Sequence, residues 1–118
     1  MEKADAAGTK ARMRVYVAGP YTHGDVDQNV MAAMDAADAL IEAGYAPYVP
    51  HLSHFMHMAH PRAYEDWIAL DMVWLGMCEA LVRLPGRSAG ADAEEAWARA
   101  HGMAVYQGVE DLIQPEGR

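Results

Sequence analysis

Two acidic residues, Asp71 and Glu94, stand where the neighbouring sequence gives no structural reason for a charge. Asp71 falls within an apolar helical pattern, and the residues three and four positions away are all apolar: Trp67, Ile68, Trp74 and Leu75. Burying a charge costs several kcal/mol unless it is paired or neutralised, and burial raises a carboxyl pKa. Asp71 is therefore a candidate acid that keeps a proton near neutral pH. The alternative is a helix-edge Asp bonded to a backbone or Arg group.

Glu94 lies early in a predicted helix among uncharged helical neighbours, which are Gly90, Ala91, Trp97 and Ala98. Adjacent Glu95 is different, because Arg99 four positions later offers it a surface partner of the kind that contributes a few tenths of a kcal/mol. Glu95 thus has an ordinary role, whereas Glu94 is a candidate for chemistry. An acid favoured by the helix dipole is the alternative for Glu94.

Small residues precede Glu94 at the start of the same helix. Ser88, Ala89 and Gly90 would leave backbone N–H groups free to bind a phosphate. Ser is also a routine helix cap, so both interpretations stay open. Gly19 follows the first strand as a weaker candidate for a phosphate turn. The chain has neither a dinucleotide glycine fingerprint nor a P-loop.

Four histidines recur at every third position: His51, His54, His57 and His60. A catalytic zinc ion takes about three protein ligands, but residues spaced by three drift around a helix, so four of them do not converge on one ion. No cysteine or acid completes the set. We therefore expect no metal and no other cofactor, and we expect these histidines to line a substrate cleft.

The composition restricts both the ligand and the compartment. The net charge is −8 with only nine scattered Lys and Arg, which disfavours a nucleic-acid polymer but allows a small anion held by backbone donors. The single cysteine, Cys78, does not require an oxidising compartment, and no apolar stretch is long enough for a membrane span. Residues 1–12 are polar and lack a signal-peptide core, so we expect a flexible tail on a cytoplasmic protein.

Strands and helices alternate after this tail. Apolar β-prone runs predict strands at 14–18, 46–49, 80–84 and 103–106. Apolar spacings of three and four predict helices from a cap at Asp25 to a stop at Gly44, over 64–78, and over 90–101 before Gly102. Residues 51–61 indicate a loop or short irregular helix, and residues 109–113 a helical turn.

This alternation predicts an α/β fold of the Rossmann or flavodoxin-like kind, as one domain over residues 13–118. We expect a parallel sheet of four to five strands with helices on both faces. In such sheets the ligand binds beyond the carboxyl ends of the strands. The loops after Ala18, Val49 and Leu84 are therefore the expected positions of the site.

With these residues located, the chain resembles the nucleoside 2-deoxyribosyltransferase-like superfamily, which includes 2′-deoxynucleoside 5′-monophosphate N-glycosidases. The resemblance runs from about Arg14 to Tyr106 and is carried by residues 15–20, 71–75, 78–84 and 88–94. The last segment is similar to the Ser-x-Gly-x-x-x-Glu of that family. By this resemblance, Glu94 attacks C1′ of the sugar, Asp71 protonates or hydrogen-bonds the leaving base, and Tyr16 holds Glu94 in line.

The resemblance also implies the residues that bind the substrate. Exchange enzymes of the superfamily commonly place an acid at the position of Ser88, to hold a free 5′-hydroxyl. A Ser can instead donate to a phosphate, so Ser88 with Gly90 favours a 5′-monophosphate. The expected binding residues are Gly19, Pro20, Tyr21, Thr22, His51, Ser88 and Gly90. Pro20 departs from the family because it has no N–H to donate, and the N–H groups of Tyr21 and Thr22 are expected to compensate.

The function expected from the resemblance is hydrolysis of the N-glycosidic bond of a (deoxy)nucleoside 5′-monophosphate, giving free base and sugar phosphate. The alternatives are base exchange between nucleosides and a non-catalytic nucleotide-binding module. The expected partners are a small-molecule nucleotide and further copies of the chain, as a homodimer or higher homo-oligomer. We expect neither a membrane nor a nucleic-acid polymer as a partner. Asp92 has no clear counterpart and is expected to be only a first-turn acid.

Overall fold

The computed structural model describes residues 11–113. Most of the expected flexible tail therefore lies outside the described residues. Arg12, at the end of that tail, donates from Nη1 to the carbonyl oxygens of Ile41 and Tyr45, each at 3.2 Å. These two bonds tie the start of the described chain to the first helix and the turn that follows it.

Ten short elements alternate along the chain. They are β1 (Arg14–Ala18), α1 (Val26–Glu42), β2 (Ala46–Tyr48), a 3-10 turn (Pro50–Leu52), α2 (Ser53–Ala59), α3 (Tyr64–Gly76), β3 (Ala80–Arg83), α4 (Ala89–Ala100), β4 (Ala104–Gln107) and α5 (Val109–Ile113), counted within residues 11–113. The order confirms the predicted alternation of strands and helices.

The described residues form one four-stranded sheet in which every neighbouring pair is parallel, in the order β2-β1-β3-β4. The chain passes from β1 to β2 on one side and then returns to β3 on the other side. A crevice opens at such a reversal, beyond the carboxyl ends of β1 and β3. The predicted α/β class and the parallel sheet are confirmed.

Alternate residues of β1 supply the two apolar cores. Val15 and Val17 pack on one face of the sheet with α1 and α5, through Ala33, Leu40 and Leu112 among others. Tyr16 and Ala18 pack on the opposite face with α3 and α4, through Leu75 and Ala98 among others. A period of two along β1 therefore places helices on both faces, as expected. Among residues 11–113, no helix is both long and apolar enough to cross a membrane.

The ends of the elements follow from local chemistry. The Asp25 side chain accepts a hydrogen bond from the Gln28 N–H at 3.1 Å, as expected for the cap of α1. Gly44 follows α1 with a φ of +99°, a left-handed conformation that favours glycine. Ser88 caps α4 in the same way, by accepting from the Ala91 N–H at 3.0 Å.

Several predicted boundaries shift by one or two residues. β2 ends at Tyr48, because Val49 already begins the 3-10 turn, and β3 ends at Arg83. α3 ends at Gly76, so Cys78 lies beyond it, where its N–H bonds the Leu75 carbonyl in the turn that leads to β3. The segment 51–61 holds most of the 3-10 turn and all of α2.

β2 is an edge strand of the described sheet, and Pro47 is its middle residue, in register with Val15 of β1. Proline has no N–H and is tolerated in sheets at an edge. The neighbouring register pair joins Tyr16 to Tyr48. This pairing brings two tyrosines side by side on the face of the sheet that carries α3 and α4.

Candidate active site

A cavity of about 840 Å³ opens at the carboxyl ends of β1 and β3. Its wall is formed by residues 19 and 21–23 after β1, by parts of the segment 50–57 after β2, by the inner face of α3 and by residues 87–92 and 94 around the start of α4. These are the loops at which the sequence predicts a site. The volume falls within the range of about 300–1,000 Å³ that small-molecule sites occupy.

Tyr16 and Glu94 form the shortest link across this region. The Tyr16 hydroxyl donates to Oε2 of Glu94 at 2.6 Å. The tyrosine ring is completely buried in β1, and burial is the main cause that raises the pKa of Tyr16, so it remains a donor. Burial also raises the pKa of Glu94, while the hydrogen bond from Tyr16 and the positive charge of Arg83 oppose that rise.

Asp71 reaches the same cavity from α3. Its side chain is buried, and Oδ1 has no hydrogen-bond partner within residues 11–113. Burial first, and the negative charge of Glu94 second, raise the pKa of Asp71 to about 7, against the opposing effect of the Tyr48 hydroxyl. The hydrogen bond from Tyr16 and the charge of Arg83 favour the ionised form of Glu94, and that negative charge in turn favours the protonated form of Asp71. The pair thus holds one charged and one protonated carboxyl group near neutral pH.

Three aromatic rings stack from the core toward the surface beside these acids. The ring centroids of Tyr16 and Tyr48 lie 5.6 Å apart, and those of Tyr48 and Trp74 also lie 5.6 Å apart. Burial and the charge of Asp71 raise the pKa of Tyr48 to about 12. Tyr48 is not among the site residues predicted from the sequence, because its place beside Tyr16 depends on the register between β1 and β2.

Three of the four regularly spaced histidines bind different parts of the fold. Nε2–H of His51 donates to the carbonyl oxygens of Gly19 at 3.2 Å and Pro20 at 3.0 Å. Nδ1 of His54 lies 2.8 Å from the Tyr21 hydroxyl. Nδ1 of His57 accepts from the Trp67 indole N–H at 2.9 Å. Their separate partners hold the β1–α1 loop and the start of α3 around the cavity, whose wall includes His51 and His57.

The described residues contain no cluster of three or more His, Cys, Asp or Glu arranged to hold a metal ion. His51 is buried, and burial lowers its pKa, which favours the neutral ring. Its Nε2 carries the hydrogen, because both neighbouring carbonyl oxygens are acceptors. Its Nδ1 is buried without a hydrogen-bond partner in the range 11–113. His51 therefore holds the loop after β1 in place through its hydrogen bonds to Gly19 and Pro20.

The β1–α1 loop is also tied to α1. The Asn29 side-chain amide donates to the carbonyl oxygens of Tyr21 and His23, each at 2.9 Å. Gly19, Tyr21 and Thr22 line the large cavity. Pro20 is the expected binding residue that lines a different cavity, of about 410 Å³, between α1 and the β3–α4 loop.

The start of α4 forms the opposite wall. Ser88 and Gly90 line the cavity, with Arg87 beside them. Ser88 Oγ accepts the capping bond from Ala91 and still has its own hydroxyl hydrogen to donate. Arg87 is not among the site residues predicted from the sequence, although its position directly before a helix cap is a readable signal. Helix N–H groups, a hydroxyl and a guanidinium together suit an anion.

Two acids of α4 each form an ion pair with an arginine. Glu95 accepts from Arg99 Nη2 at 2.8 Å, which confirms the pair predicted from their spacing. Asp92 was expected to be only a first-turn acid, but its Oδ1 accepts from Arg83 Nη1 at 2.6 Å. The missed residue is Arg83, whose side chain is largely buried at the end of β3.

Two solved structures are similar to this one. A conserved protein from Enterococcus faecalis V583 has a TM-score of 0.68 and 21% sequence identity, and the match covers 82% of this chain and 63% of that chain. A 2-desoxiribosyltransferase from Leishmania mexicana has a TM-score of 0.61 and 17% identity, over 80% of this chain and 63% of that chain. This chain thus spans less than two thirds of the length of either protein. At these identities the likeness shows a shared nucleoside 2-deoxyribosyltransferase-like fold.

Curated protein sequences give no match. One family model, described as a domain of unknown function (DUF7768), matches residues 13–107. This range contains all four strands of the described sheet and every residue discussed above for the cavity wall. The chain therefore belongs to the DUF7768 family, and it has a nucleoside 2-deoxyribosyltransferase-like fold.

Proposed function

We propose that the protein hydrolyses the N-glycosidic bond of a (deoxy)nucleoside 5′-monophosphate. The observation that carries this proposal is the pair of carboxyl groups on one cavity wall, Glu94 oriented by Tyr16 and Asp71 with a pKa of about 7. A charged carboxylate and a protonated acid are the two groups that displacement at an anomeric carbon requires. The similarity to a protein titled 2-desoxiribosyltransferase supports a nucleoside-processing reaction.

In the proposed first step, a carboxylate oxygen of Glu94 attacks C1′ and the bond from C1′ to the base nitrogen breaks. The base leaves with the electron pair of that bond and accepts the proton of Asp71, which makes it a better leaving group. The product of this step is a glycosyl ester of Glu94. Covalent catalysis of this kind divides one difficult displacement into two easier ones.

In the second step, water attacks C1′ and gives up a proton as the ester bond breaks. The sugar phosphate is released and the Glu94 carboxylate is regenerated. Asp71, now ionised, is the group placed to accept the proton from water. Tyr16 remains neutral throughout, because its raised pKa makes it a hydrogen-bond donor rather than an acid.

The substrate phosphate is assigned to the start of α4. Ser88 offers a hydroxyl hydrogen, the first turn of α4 offers N–H groups near Gly90, and Arg87 offers a positive charge on the same wall. An acid at position 88 would repel a phosphate, whereas a serine does not. This chemistry favours a 5′-monophosphate over a free nucleoside.

A direct assay tests the proposal. The purified protein is incubated with a panel of ribo- and deoxyribonucleoside 5′-monophosphates and the matching nucleosides, and free base is quantified by chromatography. We expect base release from at least one monophosphate, and loss of more than about 100-fold in rate for Glu94→Ala. Glu42→Ala, which removes an exposed glutamate at the end of α1, is the matched control and should retain activity.

Two results would redirect the assignment. Product that forms only when a second base is added would select base exchange. Nucleotide binding without turnover, unchanged by removal of Glu94 or Asp71, would select a non-catalytic binding module. Full activity of Glu94→Ala would contradict the proposed mechanism.

A further inference from the structure

Arg83 joins the end of β3 to the loop and helix that follow it. The Arg83 side chain as a whole is 10% exposed. Nε donates to the Leu84 carbonyl at 3.0 Å, Nη2 to the Gly86 carbonyl at 2.7 Å, and Nη1 to Asp92 Oδ1 at 2.6 Å. Nη1 also lies 3.5 Å from Glu95 Oε1. One planar group therefore binds two carbonyl oxygens of the loop and contacts acids in two turns of α4.

The loop held in this way is confined from the other side as well. Gly86 has a φ of +116°, and a Cβ at this position would lie 2.8 Å from Cγ of Pro20. The loop thus passes between the β1–α1 loop and the Arg83 guanidinium. Arg87 and Ser88 follow directly and form part of the cavity wall. The direction of these two side chains depends on the loop that Arg83 binds.

Arg83 makes these contacts behind the cavity wall. The wall around the start of α4 is formed by residues 87–92 and 94, and each bond of the Arg83 guanidinium goes to the loop or to α4. Its positive charge nevertheless acts on Glu94, because it opposes the rise in the pKa of that carboxyl group that burial causes. The residue thus has a geometric link to the proposed phosphate site and an electrostatic link to the proposed nucleophile.

We propose that Arg83 is a positioning residue of the active site: its guanidinium fixes the β3–α4 loop and α4 so that Arg87, Ser88 and the first turn of α4 together bind the phosphate of the substrate. This inference rests on the proposed function. An arginine is needed because its planar fork reaches three acceptors in fixed directions. A lysine would supply the charge without that geometry.

The difference between arginine and lysine allows the geometric link and the electrostatic link of Arg83 to be tested separately. Arg83→Lys keeps the positive charge and loses the fork, whereas Arg83→Gln loses both. The control is Arg99→Gln, which removes another arginine that binds Glu95 but lies on the exposed side of α4. Each variant is first compared with the wild type by circular dichroism and thermal unfolding, to establish that it is folded.

Two measurements that do not require turnover then test the inference. The first is the affinity for 2-deoxyribose 5-phosphate and ribose 5-phosphate by calorimetry. The second is the carboxyl titration of Glu94 by carbon-13 NMR, assigned with Glu94→Gln. We expect Arg83→Lys to weaken sugar-phosphate binding by about fivefold or more with little change in the Glu94 titration. Arg83→Gln should weaken binding and also move the Glu94 titration upward by about 0.5 pH unit or more. Arg99→Gln should change neither.

Folded Arg83→Lys with wild-type affinity for both sugar phosphates would overturn the inference, as would a wild-type protein that binds neither. An Arg83→Gln variant whose Glu94 titration is unchanged would overturn the electrostatic link. Failure of the proposed reaction is a separate result: the wild type would then bind sugar phosphate and release no base, while the comparison of variants would still decide the role of Arg83. If hydrolysis is observed, Arg83→Lys should raise KM more than it lowers kcat.

Discussion

The Tyr16 hydroxyl and Oε2 of Glu94 are 2.6 Å apart although 78 positions separate the two residues in the chain. The ring of Tyr16 is packed in the core between β1 and the helices α3 and α4. The direction of its hydroxyl is therefore set by core packing. Because the sheet fixes this hydroxyl, the hydrogen bond also fixes the Glu94 carboxylate on the cavity wall. A carboxylate held in this way can attack along a defined line.

Tyr16→Phe tests that relationship. The phenylalanine ring preserves the stack with Tyr48, but it leaves Glu94 without the hydroxyl that orients it and lowers its pKa. We expect kcat to fall by about 10- to 100-fold with a small change in KM. Steady-state kinetics across pH measures this, and the acidic limb should move to higher pH. A variant with unchanged kcat would show that the hydrogen bond has no catalytic role.

The dependence of kcat/KM on pH should be bell-shaped. The proposed mechanism requires Glu94 ionised and Asp71 protonated. The pKa of Asp71 is about 7, so activity should fall as pH rises through about 7. The pKa of Glu94 is raised above its ordinary 4.5, so the acidic limb should lie above that pH. Activity that stays constant from about pH 6 to pH 9 would contradict the assignment of Asp71 as the acid.

Asp71→Asn should inactivate the protein and stabilise its fold at alkaline pH. The folded pKa of Asp71, about 7, exceeds the ordinary value of 3.8, so the folded state binds more protons between these values. Asp71 therefore makes its full contribution to the free energy of unfolding below about pH 4, and this contribution is lost as pH rises through 7. An asparagine does not ionise, so its contribution to stability does not change with pH. We expect the variant to be more stable than wild type by about 4 kcal/mol at pH 8, the free energy of a shift from 3.8 to about 7, with little difference at pH 4.

Urea unfolding at the two pH values measures this effect. Asp38→Asn, which neutralises an exposed acid of α1, is the control and should give no such pH-dependent gain. Equal stability of wild type and Asp71→Asn at pH 8 would indicate that Asp71 is not desolvated in solution.

Ser88→Asp should abolish action on monophosphates without loss of the helix cap. Aspartate caps helices about as well as serine, but its charge would face the phosphate assigned to the start of α4. Like charges in contact cost several kcal/mol, so hydrolysis should fall by about 100-fold or more. Ser88→Asn has the same shape without the charge and should retain far more activity. Equal rates for these two variants would place the phosphate elsewhere.

Four apolar side chains on the outer side of α3 and its cap lie at positions 70, 73, 74 and 77, a helical spacing, and all are exposed. This stripe supports the expectation that the protein is a homo-oligomer. Val73→Glu, at a position 63% exposed, should lower the mass measured by sedimentation and leave the monomer folded. Gln28→Glu adds the same charge to α1 as a control. A wild-type protein that sediments as a monomer would contradict this expectation.

The sequence predicted most of the fold because its signals are local. The apolar run of β1, the cap at Asp25 and the stop at Gly44 each depend on a few neighbouring residues, and the structure has all three. Asp71 and Glu94 were identifiable because each acid lacks a local partner. Their presence in one cavity wall is a property of the sheet topology, which the alternation of strands and helices already implied.

Tyr48 and Arg83, which were not predicted as site residues from the sequence, depend on long-range geometry. Tyr48 is an ordinary strand residue until the register places it between Tyr16 and Trp74. Arg83 is an ordinary strand end until the loop folds back to present the Gly86 carbonyl. The histidines show the same limit, because their period of three was evident in the sequence, whereas their separate partners follow from packing against the β1–α1 loop and α3.

Pro47 affects whether another molecule can add a strand to the sheet at the edge formed by β2. A neighbouring chain that tried to extend the sheet beyond β2 would find a three-residue strand whose central position offers no N–H. That border is therefore protected against templated strand addition, the first step of fibrous aggregation. Concentrated solutions should accordingly resist the growth of cross-β deposits from this side of the domain.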